Sequence, residues 1–566
     1  MNARRWAPRQ YLPTIGLSAV LAFLVLVPLG FLLVSSLRPG GMPWSPGFTL
    51  ANYAAVYADP ALLRMVKNTL IFVAGSVALG LLFGGTLAWL VERTDMPARR
   101  LVRALVILPM ATPPLLLAIA WIMLLSPRTG FFNEILQRAF GLGGPVFDIF
   151  SMAGMIFVEA VAVVPTTFLI LAPAFRNMDP ALEEAAAASG AGPARILWKV
   201  FLPLMAPALI SATVFISVAG FVVFDIPGTI GMPVRIFVLS SQIYYWGNET
   251  PSGLPLYGQI SALAAVFLVV LLALGLLYQR ATRRMTRFAV IGGKGYRPRR
   301  FRLGRWRIAA LAFAGLYFAL AVLAPLAVLL WTSLMPYLTG FSSEAMKLAT
   351  LANHAAVFEN RRIGTAALNT LIVAACAATA VTALAALISW VVVRSRAAGR
   401  RIVDLLAFVP ISIPGIIIGV ALIYVYLTLS FLPVYGTIWI LVVAYATVYL
   451  SYGTRSLNAV LIQLHAELEE AGAASGAGWW RVFRRITLAL ALPGLVAVWI
   501  WVAAHAGREL SSALILQGRD NVVLSTLLWD FWSAGQPNRA AAVGVWLIVA
   551  LGLMVGAWQM LQRRER

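Results

Sequence analysis

Charge is scarce in this sequence. Asp, Glu, Lys and Arg make up 11% of its 566 residues, while 61% are hydrophobic. Soluble domains carry about a quarter charged residues, so a surface this poor in charge would aggregate in water and a soluble fold is excluded. Cysteine is almost absent: Cys376 stands alone inside an apolar run. That rules out an intrachain disulfide or a cysteine-based metal site and leaves a small packing residue. His354 and His505 have no carboxylate at metal-ligand spacing, so no metal site is expected. No Walker A sequence occurs, and Gly292-Gly293-Lys294-Gly295 has the wrong spacing for a phosphate loop. The apolar runs do not alternate with polar residues. In lipid a closed barrel would need that alternation, so helices remain.

What is present is a series of apolar runs, each long enough for a membrane helix of roughly 20 residues. They fall near 14–36, 68–91, 104–125, 151–172, 206–226 and 257–278, then near 308–331, 368–393, 404–429, 437–456, 490–506 and 541–561. This predicts an all-α integral membrane protein of about twelve transmembrane helices in two groups of six. Arg4, Arg5 and Arg9 precede Leu17–Val34; that run is too long for a signal peptide and reads as a retained first helix. The net charge of +23 sits in short loops between apolar runs. This is the positive-inside pattern, so no nucleic-acid partner is expected. The basic loops Glu92–Arg100 and Arg394–Arg401 and the tail Arg563–Arg566 are expected in the cytoplasm, with both termini.

Three segments follow: a first six-helix half (1–278), a basic cytoplasmic linker (279–307) and a second half (308–566). The linker holds eleven Lys or Arg and no acid, which suits contact with anionic lipid. The halves repeat. Asn68-Thr69-Leu70-Ile71 recurs as Asn369-Thr370-Leu371-Ile372, and Leu108-Pro109-Met110-Ala111-Thr112-Pro113 as Val409-Pro410-Ile411-Ser412-Ile413-Pro414, both at an offset of 301. Glu184 to Glu470 and Gly190 to Gly476 share an offset of 286. The lost residues fall where Arg128–Gly144 faces the shorter Ser430–Gly436. Corresponding helices start on the same side, so the two six-helix repeats are parallel.

The most informative stretch lies between the fourth and fifth spans of each half, on the cytoplasmic side. The first copy runs Glu183-Glu184-Ala185-Ala186-Ala187-Ala188-Ser189-Gly190 and on to Leu202-Pro203; the second begins Glu469-Glu470-Ala471-Gly472-Ala473-Ala474-Ser475-Gly476. Asp179-Pro180 can cap the first helix, and the acids suit its first turn. The alanines leave a thin helix that a partner backbone can approach, and the glycine ends it. From Pro193 a second helix sets Arg195 and Lys199 against Ile196, Leu197 and Val200.

This pattern resembles the signature of the membrane subunits of bacterial ABC importers. Glu184, Ala185, Ala186, Gly190, Val200, Leu202 and Pro203 match it in full. The second copy matches at Glu470, Ala471, Gly476, Ile486 and Leu488, and departs at Gly472 and Ala489; His465 also replaces Asp179. The resemblance implies the type I ABC importer permease fold, the permease and not the enzyme of its complex. Each loop would be a coupling helix docked on one subunit of an ABC ATPase dimer, with a periplasmic substrate-binding protein on the outer face of a bacterial inner membrane. The coupling residues would be Glu183, Glu184, Ala185, Ala186, Gly190 and Pro203, with Glu469, Glu470, Ala471 and Gly476. The degraded second motif predicts a less rigid second loop, and a greater effect of a bulky residue at Gly190 than at Gly476. No cofactor is implied.

A finer resemblance concerns substrate. Phe224–Thr229, Val238–Tyr244 and Arg508–Ala513 look like stretches of fused ferric-iron-type permeases, whose relatives carry thiamine or 2-aminoethylphosphonate. Charged residues in or beside spans are costly and so mark a path; Glu159, Asp225, Arg508 and Glu509 are the candidates. A secondary transporter is the alternative of another class. It would need coupling-ion carboxylates in several helices, and this chain offers little beyond Glu159.

Overall fold

A computed structural model describes residues 12–176, 178, 181–250, 253–285, 301–395 and 397–564. Every extended element among them is helical; the sole β-type pairing is an isolated bridge between Thr94 and Phe301. The spans, in chain order, are α1 (Thr14–Ser36), α2 (Pro60–Arg93), α3 (Arg99–Ala111 with Pro114–Leu125), α4 (Met152–Arg176), α5 (Leu197–Val222) and α6 (Tyr257–Leu277). They continue with α7 (Trp306–Leu334), α8 (Arg361–Val393), α9 (Arg400–Ser412 with Gly415–Thr428), α10 (Ile438–Gln463), α11 (Trp479–Ala506) and α12 (Pro537–Gly556). Among the described residues nine single helices are long and apolar enough to cross a membrane, and α3 and α9 are bent pairs. The 26-residue α10 is long enough to cross but is not among the helices apolar enough to do so. It is less apolar because Tyr445, Thr447, Ser451 and Arg455 lie along it.

The spans read from sequence as 104–125 and 404–429 are not single helices. They bend by 95° in α3 and 112° in α9. The cause is a pair of prolines in each. A residue before proline is pushed out of the helical region, and Thr112 (φ −86°, ψ 121°) and Ile413 (φ −108°, ψ 118°) are both extended. The helices that restart after the break are buried all round, at Leu115–Leu124 and Gly415–Tyr426. The first has 12 residues, about 18 Å of helix, too short to cross a hydrocarbon core of about 30 Å. Both are therefore core elements.

The chain divides into two compact units: residues 1–59, 242–269 and 354–566 in one, residues 60–241 and 270–353 in the other. The sequence halves and the packing units thus divide the chain differently. In the first unit α1 packs on α9, and α8 lies along α10 and α11; in the second α7 packs on α3, and α2 lies along α4. So the first helix of each half joins the unit built on the other half.

The repeated Asn-Thr pairs explain themselves here. In the second unit Asn68 donates to the Phe237 carbonyl (3.2 Å) and the Leu239 N–H donates to Thr69 Oγ1 (3.0 Å). In the first, Asn369 donates to the Val522 carbonyl (3.0 Å) and the Leu524 N–H to Thr370 Oγ1 (2.8 Å). Each pair ties the outer part of a span to the backbone entering a short helix.

Close approach of α2 and α4 depends on glycine, as small residues do between membrane helices. A Cβ at Gly84 would lie 2.6 Å from Thr167 Cβ and 3.1 Å from the Val164 carbonyl oxygen, whereas one at Gly85 would meet only Leu171 Cδ1 at 3.5 Å. Gly84→Ala is expected to destabilise the chain by about 1–3 kcal/mol through overpacking, and Gly85→Ala to be neutral. Thermal unfolding in detergent tests this; equal effects from the two would refute the packing argument.

Candidate functional site

The two loops that follow the fourth span of each half fold alike. The first holds a helix at Ala181–Ala188, after which Gly190 turns to φ +80°. There the Ala191 N–H donates to the Ala186 carbonyl and the Gly190 N–H to Ala187. The second holds Glu467–Ala474, with Gly476 at φ +82°, the Ala477 N–H on Gly472 and the Gly476 N–H on Ala473. These are the paired bonds of a Schellman end, which needs a residue in the left-handed region and so favours glycine. Ser189 and Ser475 each donate back to the alanine four residues earlier, at 2.8 and 2.9 Å. The second helix is thus closed at its C-terminal end by the same bonds as the first. The cap expected at Asp179-Pro180 lies outside the described residues. In the second loop Ala466 occupies the cap position and its side chain bonds to nothing.

The departure at Gly472 has a steric reason. A Cβ there would lie 2.5 Å from Ile486 Cδ1 and 3.4 Å from Val482 Cγ2. The second helix thus sits close against the start of α11.

The paired acids divide into two roles that spacing alone did not separate. Glu183 is buried in an ion pair with Arg93, at the C-terminal end of α2, and Arg93 also donates to the Met178 carbonyl (3.1 Å). Glu469 lies 3.5 Å from Arg394, at the equivalent end of α8, and accepts from Thr487 Oγ1 (2.9 Å). Arg394 donates in turn to the Leu461 and Leu464 carbonyls (2.8 and 2.6 Å). Glu184 and Glu470 are exposed, as are Ala185 and Ala471; Ala186 is half-buried, and Pro203 is exposed in the first turn of the helix it begins. Glu183 and Glu469 therefore hold each loop to the chain, while Glu184 and Glu470 face outward.

Arg93 and Arg394 were legible only as markers of orientation. The signal that could have found them is their shared offset of 301, the same as that of the Asn-Thr pairs. Beside Arg93, Glu92 accepts from Arg176 through two nitrogens (3.0 and 3.1 Å) and from Arg103 (2.5 Å). Asp95 accepts from Arg307 (2.5 Å) and the Leu303 N–H (2.8 Å), and these bonds hold its carboxyl below the ordinary range.

The path candidates are scattered. Glu159 and Asp225 are both buried, and their carboxyl groups lie within electrostatic range of each other. Glu509 closes a local turn: it accepts from the Ser512 hydroxyl (2.8 Å) and N–H (3.1 Å) at the start of the short helix Ser511–Leu516. Arg508 precedes it, half-buried. None of the four lines the large cavity, of about 870 Å³, in the first unit.

Sequence reasoning missed that cavity. Its walls include Tyr244, Asn248, Arg362, Gln517, Trp529, Asp530 and Arg539. Arg362 and Gln517 both donate to Asp530 (2.7 and 3.2 Å). The edges of Tyr244 and Trp529 meet at 79°, and burial pushes the Tyr244 phenol up to about 12. No cluster of three or more His, Cys, Asp or Glu able to hold a metal occurs among the described residues. His505 instead stacks on Trp501 at 3.7 Å.

Over residues 60–287 and 378–564 the chain matches the family described as "Binding-protein-dependent transport system inner membrane component", once in each half. It is 25% identical over 487 residues to the putative ferric transport system permease protein FbpB 1 of Haemophilus influenzae, covering 82% of this chain and 71% of that one. It is 22% identical over 503 residues to Fe(3+)-transport system permease protein FbpB 2 of the same organism, covering 88% and 89%. Over 294 residues it is 29% identical to the sn-glycerol-3-phosphate transport system permease protein UgpA of Yersinia pestis, covering 50% of this chain and 96% of that one.

The two anchors differ in burial, which yields a prediction. Arg93→Ala would strand a buried carboxylate at a cost of about 3–5 kcal/mol. Arg394→Ala should cost less, ~1–2 kcal/mol, because Glu469 is less deeply buried than Glu183 and keeps Thr487. Adding Glu183→Ala to Arg93→Ala should recover part of the loss. Unfolding midpoints of the purified variants decide it: a larger loss at Arg394, or no recovery in the double variant, contradicts the assignment.

Proposed function

The chain belongs to the binding-protein-dependent transport system inner membrane components, as the permease of an ABC importer, and from that membership we propose that ATPase subunits drive it through its two cytoplasmic loops with ferric iron as substrate. The observation that carries the coupling reading is the matched geometry of the loops. Each presents a thin helix with an outward acid (Glu184, Glu470), closed by a left-handed glycine and held to a span by an arginine. A rigid, anchored projection of this kind transmits a partner's movement to the spans, since coupling requires only that the partner prefer one state of the chain. The coupling set becomes Glu184, Ala185, Ala186, Gly190, Glu470, Ala471 and Gly476 at the partner's surface, with Glu183, Glu469 and Pro203 as positioning residues.

The ferric reading rests on the two Haemophilus relatives, each aligned with more than four-fifths of this chain. Thiamine and 2-aminoethylphosphonate are the alternatives within the same class, and a substrate-binding protein is the expected outer partner. Both termini are placed in the cytoplasm, with the basic segment 279–307 linking halves 1–278 and 308–566. Glu159 with Asp225, and Arg508 with Glu509, are proposed to lie along the path. A secondary transporter is the other class of reading; uptake that survives loss of the ATPase would favour it.

Uptake of radiolabelled ferric iron in iron-starved cells, with the gene intact, deleted and restored, tests the substrate. Uptake should fall on deletion and return on restoration; unchanged uptake in cells with no other iron importer would refute ferric iron. The coupling reading has its own test. Gly190→Val and Gly476→Val place a branched side chain at the same strained angle, so each should reduce transport to a similar degree, within about twofold. Loss confined to one of them, or no loss in either, would sink the reading of two equivalent loops.

A further inference from the structure

The segment that follows each coupling glycine carries chemistry that neither coupling nor the path uses. After Gly476 the chain runs Trp479-Trp480-Arg481-Val482-Phe483-Arg484-Arg485. Val482 and Phe483 are buried, and the Trp390 ring meets Trp479 and Phe483 edge-on at 5.1 and 6.1 Å. Trp479 also stacks on Phe483 (5.4 Å, 11°). The inner side of this turn is thus fixed by aromatic packing. Its other side exposes Trp480, Arg481, Arg484 and Arg485, with Trp480 57% exposed.

Among the described residues none of these three arginines has a carboxylate within ion-pair distance. The acid on the neighbouring loop turn that faces a cation, Glu469, already serves Arg394 and Thr487. Three exposed guanidinium groups beside an exposed indole therefore lack a carboxylate partner among the described residues.

Their depth indicates where the anion comes from. Span α11 has 28 residues, about 42 Å of helix against a hydrocarbon core of about 30 Å. The exposed Leu490 and Leu492 belong to the part inside hydrocarbon, so the turns before them lie at head-group level. Tryptophan prefers that level, and arginine there meets lipid phosphate. The first half holds a leaner version in the same register: Arg195, Trp198 and Lys199, all exposed.

We propose that Trp480, Arg481, Arg484 and Arg485 form a binding site for the head group of an anionic phospholipid of the cytoplasmic leaflet. The site is joined rigidly to the second loop through the contact of Gly472 with Val482 and Ile486. Its occupancy bears on the loop's position. This holds whatever the chain transports and whichever protein docks on the loops.

The test uses the full chain reconstituted in vesicles containing brominated phosphatidylglycerol or brominated phosphatidylcholine, with quenching of tryptophan fluorescence as readout. The part due to Trp480 is isolated by comparison with Trp480→Phe. Brominated phosphatidylglycerol should quench that part at least about threefold more strongly than brominated phosphatidylcholine. The preference should shrink as salt rises from 0.1 to 1 M, where the screening length falls from about 10 to about 3 Å. Replacing Arg481, Arg484 and Arg485 together by Gln should abolish the preference, while replacing all three by Lys should preserve it. Equal quenching by the two lipids in the unchanged chain overturns the proposal, as does a preference that survives in the Gln variant. A free protein-binding face in place of a lipid site would give the first of these results.

Discussion

A polar backbone group inside hydrocarbon must find a partner within the protein, because no water is there to supply one. The fold answers this constraint at each place where a helix is interrupted. The proline breaks of α3 and α9 are followed by helices that are buried on every side, so the interruption faces protein and not lipid. At the break in α9, Ser451 accepts from the Ile411 N–H (3.1 Å) and donates to the Ala407 carbonyl (2.7 Å). Thr69 and Thr370 perform the same service where the chain enters a short helix. At the α9 break and at the two short-helix entries, a hydroxyl side chain thus meets the irregular backbone.

Those side chains account for motifs that looked like mere marks of duplication. Asn68-Thr69 and Asn369-Thr370 were legible as a repeat, and their role was not, because a hydrogen bond to a segment some 170 residues away leaves no local pattern. The long apolar runs were legible because membrane burial acts on every residue of a span. The bends were hidden for the opposite reason: a bend depends on two residues, Pro113 and Pro414, in runs that otherwise read as uninterrupted. The movement of α1 and α7 into the unit built on the other half was hidden too, since no property of a helix alone records which neighbour it packs against.

The two glycine-ended loops show where sequence matching misleads about sameness. By motif the second loop is degraded at Gly472, Ala489 and His465; by geometry its helix ends as the first does. Gly472 is the replacement that lets its helix approach Ile486 and Val482, so one departure from the pattern is an adaptation of packing. The matching acids conceal a difference instead. Glu183 and Glu469 occupy the same position, yet one is fully buried with its arginine and the other, less deeply buried, is shared between Arg394 and Thr487.

That difference bears on how firmly each loop is held to its span. A buried pair is strongly favoured over either partner alone, since separating it leaves a charge without water. The first loop is therefore locked to α2 and moves only with it. The Arg394–Glu469 pair is less deeply buried, with side chains 12% and 17% exposed, so the second loop's ionic hold on α8 is the weaker of the two. Its rigidity must come from elsewhere, and the contacts that supply it are the close seating of Gly472 on α11 and the aromatic packing of Trp479 and Phe483 against Trp390. Trp390 belongs to the same span as Arg394. The first half thus ties its loop by charge and the second by apolar contact, with the same two elements joined in each.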